Sequence, residues 1–136
     1  MKKAIIYKAG ELYKLGYNSS QAVCGALAGY YGLDQETAFK MASSFGDGTS
    51  RMEETCGAAD ALVIMAGFEK DTGIPGDLKT REENYKMVRD LMSEFKKRHG
   101  SVFCAKLHGK GEKCREKCQK LVESAAEIYA DYMGWK

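Results

Sequence analysis

The 136-residue chain is 44% hydrophobic and 29% charged, with a net charge of +2 and a single proline, which excludes a disordered chain and leaves room for one ordinary core. Its longest apolar run, Ala61 to Phe68, falls well short of the roughly 20 residues a membrane span needs. MKKAIIYKAGELY at the start carries lysines but no apolar stretch of the kind a secretory leader uses, so a cytoplasmic protein is expected, whose five cysteines read as metal ligands, redox groups or core filler rather than a disulfide scaffold.

Apolar residues recur in steps of three and four nearly throughout, with no alternating pattern, which predicts an all-α fold: a compact bundle of about five to six helices in a single domain over 1–136. A first helix is expected from Lys3 to Leu15, ended by Gly16. Ser19 or Ser20 caps a second, with Ala22, Val23, Ala26, Leu27 and Tyr30 as its buried stripe before Gly32. Asp34 caps a third, with Phe39, Met41, Ala42 and Phe45 as core candidates. Gly46 to Ser50 reads as a flexible loop, and a helix resumes near Thr55, placing Cys56 in a first helical turn. Thr80 and Glu83 have capping-box spacing and open a long helix with the stripe Tyr85, Val88, Met92 and Phe95, stopped by Gly100. A shorter piece holds Cys104. A final helix from about Glu112 to Met133 puts Cys114, Cys118, Leu121, Val122, Ala125, Tyr129 and Tyr132 on one face.

Cysteines at helical spacing are most often small core residues. Three of the five, however, lie between Lys96 and Lys120, where nine cationic side chains face two carboxylates, Glu112 and Glu116; a positive field favours thiolate over thiol. Cys114 and Cys118, one helical turn apart, have β-carbons about 5–6 Å apart where a disulfide wants about 3.8 Å, so a shared metal suits them better than a mutual bond. Cys56, at a helix start, is expected to have a lowered pKa and to be the most reactive free thiol. His99 is expected to be partly buried near its helix end and His108 to lie in an exposed loop. Glu53 and Glu54 favour the helix start that follows them, and Asp60 is either exposed or a partner of Arg51. No phosphate-loop, catalytic-triad or nucleic-acid motif is present, so nucleic acid is not expected as a partner.

Three stretches taken together, LGYNSSQAV, FGDGTSRMEETCGAADALVIMAGF, and FKKRHGSVFCAKL followed by KCQKLVESAAEIYADYM, resemble the C_GCAxxG_C_C family, small cysteine proteins held to be redox-active. The resemblance implies a helical protein whose converging thiols form an iron–sulfur or other metal site, such as zinc, or a thiol/disulfide centre serving an unknown redox partner. By position, the family's second, third and fourth cysteines are Cys56, Cys104 and Cys118, which the resemblance makes the redox residues. The first is replaced by Ser19, and the motif's last glycine by Ala61. Cys24 lies about 140° around a helix from Ser19. Cys114 stands one turn from Cys118, so the candidate metal site is Cys56, Cys104, Cys114 and Cys118. The alternative is a noncatalytic helical interaction or oligomerisation domain with a degenerate cysteine site; the stretch YYGL would suit a homodimer.

Overall fold

The structure, a computed structural model, describes residues 1–71, 73–108 and 115–136, and among them every regular element is helical. Seven α-helices follow in order: α1 (Lys2–Lys14), α2 (Ser19–Ala28), α3 (Gln35–Ala42), α4 (Gly57–Glu69), α5 (Leu78–His99), α6 (Cys104–His108) and α7 (Arg115–Tyr132). Two 3₁₀ turns, Gly29–Tyr31 and Ser43–Phe45, continue α2 and α3. None of these helices is long and apolar enough to cross a membrane.

Asn18, rather than Ser19 or Ser20, caps α2. Its side chain accepts the Gln21 N–H at 2.9 Å, and the Gln21 side chain accepts the Asn18 N–H at 3.1 Å. This reciprocal capping box moves both serines into the first turn, where they are buried. Past them α2 is apolar on all sides, from Ala22 to Ala28, as a helix surrounded by others must be. It packs against α1, α3, α4 and α7. α4 is similarly small and apolar, burying Ala58, Ala59, Ala61, Leu62, Met65 and Ala66. A fully buried leucine such as Leu27 or Leu62 contributes about 2–3 kcal/mol.

Asp34 caps α3, accepting the Thr37 N–H at 3.1 Å. Its inward residues are Ala38 and Ala42; Phe39 is half-buried against Tyr17, while Met41 and Phe45 face solvent. α5 begins one turn earlier than Thr80, at a cap made by Asp77, and its buried stripe is Met87, Leu91 and Phe95. Val88 and Met92 are half-buried and Tyr85 is exposed, because the packing of α5 on α4 and α7 selects a neighbouring face of the helix. Gly100 ends α5 in the left-handed conformation, φ 87°.

On α7, Cys118, Leu121, Val122, Ala125 and Tyr129 all face inward, and Tyr132 is exposed. The Tyr129 hydroxyl lies 3.1 Å from the Met65 carbonyl and meets the hydroxyl of Tyr31, which lies 2.9 Å from Glu69 Oε2, so the two phenol protons are shared among three contacts. Half of YYGL therefore turns inward; Tyr30 stays exposed beside Trp135. Arg98 binds Glu94, Glu127 and Asp131, and Asp131 also binds Lys2, so this arginine of the basic stretch is neutralised locally and ties α5 and α7 to the N-terminus.

Candidate functional site

Two backbone rungs bring Cys56 and Cys104 together from distant parts of the chain. The Cys56 N–H donates to Val102 O at 2.7 Å, and the Cys104 N–H donates to Glu54 O at 2.8 Å, on either side of the antiparallel pair Thr55 and Phe103. Side chains alternate along extended chain, so the two cysteines project to the same side, opposite Thr55 and Phe103. Cys56 is the residue immediately before α4, and Cys104 opens α6.

Between α3 and α4, Gly46–Arg51 is a tight turn in which extended Gly46 is followed by five residues with positive φ, Asp47, Gly48, Thr49, Ser50 and Arg51, between 55° and 70°. Left-handed angles are costly for residues with a β-carbon, most of all for β-branched Thr49, so a run of them is held only by its surroundings. Gly48 explains part of the arrangement. A β-carbon there would lie 2.7 Å from the Cys104 β-carbon and 3.1 Å from its sulfur, so the bare backbone packs directly onto the thiol. Glu54 N–H closes the turn on the Gly48 carbonyl at 3.0 Å.

Cys118 reaches the same place from α7. Charge on Cys104 and Cys118 pushes the Cys56 thiol up, and charge on Cys118 helps to push up the half-buried Tyr13 phenol of α1. All three sulfur-bearing residues are 4–6% exposed. The start of α2 also abuts this point: a β-carbon on Gly57 would lie 3.2 Å from the backbone nitrogen of Ser20. Two helix N-termini thus converge beside Cys56, with Ser19 in the first turn of one of them.

The lowered pKa expected of Cys56 is reversed. Burial pushes its thiol up to about 11, outweighing the N–H groups of Ala59 and Ala58 that face the sulfur, while charge on Cys104 and Cys118 pushes it further up. A helix end lowers a thiol's pKa where water or a cation shares the charge; at 5% exposure, desolvation wins. Cys24 sits deeper in α2, its thiol pushed up to about 12 by burial, with the Ser20 hydroxyl one turn before it as polar neighbour. Ser20 Oγ has no well-formed hydrogen bond among the described residues. Cys114 lies outside the described residues. Among those described, no three Cys, His, Asp or Glu side chains stand close enough to hold one metal ion.

His99 is half-buried, with Nε2 2.7 Å from Ser124 Oγ, and burial lowers its pKa. His108 ends α6 rather than lying in a loop. The partner of Asp60 is Thr49, whose hydroxyl donates at 3.5 Å, not Arg51. Burial pushes the Asp60 carboxyl up to about 6 against that bond. The folded chain therefore keeps a proton that the unfolded chain releases near pH 4, and stability falls as pH rises from about 4 to 6. Asp60→Asn should remove this slope and raise Tm at pH 7 by about 3–5 °C, equivalent to about 1 kcal/mol for a solvent-screened carboxylate, with no gain at pH 4. Thermal melts at the two pH values check it; an equal change at both would refute the assignment.

Tyr13 is not singled out by the sequence, and Gly48 is legible there only as part of the Gly-rich stretch before Cys56, not as a contact of Cys104. Both come from segments far from Cys104 and Cys118, and no spacing rule connects them. Comparison with known proteins gives one match: the model of a family described as "Putative redox-active protein (C_GCAxxG_C_C)" covers residues 17–132. Searches of curated proteins and of solved structures return no match. Since the match spans most of the chain and contains Cys56, Cys104 and Cys118, the chain belongs to the C_GCAxxG_C_C family, whose described role is redox.

Proposed function

We propose that the chain is a dithiol–disulfide redox protein in which Cys56 and Cys104 cycle between two thiols and one disulfide, with Cys118 as the exchanging third thiol. The observation that supports this reading is the short antiparallel pairing that puts Cys56 and Cys104 diagonally across two chain segments and on the same side, with charge on Cys118 felt at Cys56. Oxidation breaks two S–H bonds and forms one S–S bond; two electrons and two protons pass to a partner disulfide, which leaves as two thiols. With its thiol pushed up to about 11, Cys56 stays protonated at neutral pH and does not open the reaction. The attack starts at another sulfur.

A thiolate metal or iron–sulfur centre on Cys56, Cys104, Cys114 and Cys118 is the second reading. It is favoured by the Ala58 and Ala59 N–H groups and the two helix N-termini facing Cys56, which stabilise negative sulfur. The described thiols do not form a ligand set as they stand.

One experiment separates the readings. Reduced protein is titrated with oxidised glutathione, free thiols are alkylated, and the disulfides are mapped by mass spectrometry, with metal content and the visible spectrum recorded on protein as isolated. A reversible Cys56–Cys104 bond, absent from Cys56→Ser and Cys104→Ser, is the expected result. Stoichiometric iron or zinc with no such bond would replace it by the metal reading. Thiols that stay free in metal-free protein would leave the noncatalytic interaction domain.

A further inference from the structure

The end of α7 far from Cys118 turns back on itself. Gly134 takes the left-handed conformation, φ 74°, and the backbone N–H of Trp135 donates to the Ala130 carbonyl at 2.9 Å. This helix-ending turn lays the chain's single tryptophan against the last turns of α7. The Lys2 N–H, donating to the Lys136 carbonyl at 3.3 Å, ties the same segment to α1. The Trp135 ring centre lies 5.9 Å from that of Tyr129 and 4.4 Å from that of Tyr30. Tyr30 stands edge-on to Tyr31, with centres 4.9 Å apart, and the Tyr31 and Tyr129 hydroxyls meet. Two routes through touching side chains therefore lead from Trp135 to Tyr31.

Tyr31 differs from the other phenols of this group in having a carboxylate, Glu69 Oε2, 2.9 Å from its hydroxyl. Tyr129 is fully buried, and its other contact is the neutral Met65 carbonyl at 3.1 Å. Tyr30 is about half exposed, with no protein hydrogen bond to its hydroxyl among the described residues. Glu69 ends α4 and Cys56 precedes it, so the helix's 13 residues, about 20 Å, separate this cluster from the cysteines.

We propose that the cluster is a one-electron relay: an oxidising radical that reaches half-buried Trp135 is passed inward and comes to rest on Tyr31, with Glu69 taking the phenol proton. The relay does not depend on the dithiol–disulfide reading. Indole and phenol rings can each give up one electron, and transfer between rings falls steeply with distance, so rings in contact make fast steps. At neutral pH a tyrosine that sheds its proton as the electron leaves is a better donor than tryptophan, which sets the direction. A carboxylate within hydrogen-bond reach is the acceptor that step needs. A neutral amide carbonyl is too weak a base, so Tyr129 conducts but does not hold the radical.

The steps balance. The small radical X• takes one electron from Trp135 and becomes X⁻, and the oxidised indole loses its N–H proton to water. Tyr31 gives one electron to the indole, which regains a proton from water. The Tyr31 proton crosses to Glu69. Trp135 is restored, leaving a Tyr31 phenoxyl radical and a protonated Glu69.

The test uses the full reduced chain at pH 7, oxidised by azide radical from a radiolysis pulse, with the separate absorption bands of tryptophan and tyrosine radicals followed in time. The tryptophan band should decay as the tyrosine band grows, at a rate independent of protein concentration and slower in heavy water. Tyr31→Phe should slow the transfer about tenfold or more, and Glu69→Gln, which keeps a polar contact but removes the base, by a similar factor. Tyr30→Phe should keep the tyrosine band, because the Tyr129 route remains. A tryptophan band that decays with no first-order growth of the tyrosine band overturns the relay, and the unaltered chain decides this even if a variant fails to fold. Folded Tyr31→Phe that transfers at the unaltered rate overturns the assignment of Tyr31, and folded Glu69→Gln that does so overturns that of Glu69. Loss of the band in Tyr30→Phe with its retention in Tyr31→Phe would put the radical on the exposed ring and overturn the assignment as well.

Discussion

Gly57→Ala is expected to lower stability by about 2–3 kcal/mol, a fall in Tm of roughly 8–12 °C. A β-carbon at Gly57 would lie 2.9 Å from the Phe45 carbonyl oxygen, 3.1 Å from the Gly46 α-carbon and 3.2 Å from the Ser20 nitrogen. All three are backbone atoms of two other segments, so no side chain can swing aside. The start of α4 must move away from the start of α2 or from the left-handed turn. Because Cys56 precedes Gly57, the same shift should speed alkylation of Cys56. Gly67→Ala on the same helix is the control: a β-carbon there meets nothing within 4 Å, and alanine's helix preference should add about 0.5–1 kcal/mol. Urea and thermal melts of the two variants should move in opposite directions; a Gly57→Ala protein that melts with the unaltered chain would show that the contact is relieved at no cost.

The second large effect is a loss of stability in alkali. Burial pushes the Cys24 thiol from 9.0 up to about 12 and the Cys56 thiol up to about 11. Below pH 9 both are protonated in the folded and unfolded chain, and neither affects the balance. Above it the unfolded thiols ionise while the folded ones do not, so the unfolded state gains. Stability should hold to about pH 8 and then fall, by on the order of 5 kcal/mol in all by pH 11–12. That is comparable to the whole stability of many small domains, so cooperative unfolding is expected near pH 11. Urea melts from pH 7 to 11 measure the slope, and Cys24→Ala should reduce it over the upper part of the range. A stability that stays flat to pH 11 would mean that water reaches both thiols in the folded protein.

What could be read from the sequence was local. The helices, the Asp34 cap and the Gly100 stop depend on residues within one or two turns of one another, and there the pattern and the structure agree. Where neighbouring residues competed, the pattern alone was insufficient. Asn18, Ser19 and Ser20 can each cap a helix, and the return bond from Gln21 selects Asn18. On α5 two overlapping stripes share Phe95, and the bodies of α4 and α7 choose Met87 and Leu91.

The cysteine site divides along the same line. The family pattern of Cys56, Cys104 and Cys118, and the position of Cys56 at a helix start, could be read along the chain. The upward push on the Cys56 thiol could not, because desolvation is a sum over atoms contributed by other segments, and it outweighs the helix end that the sequence displays. Nor could the choice of Cys104 as the thiol on which the bare Gly48 backbone packs. Periodicity and motif spacing record neighbours along the chain, so the sequence determined the helices and the residues that carry sulfur. Burial and proximity depend on segments that meet only after folding, so the tertiary structure decided that Cys56 and Cys104 lie on one short antiparallel pairing and that burial pushes the Cys56 thiol up.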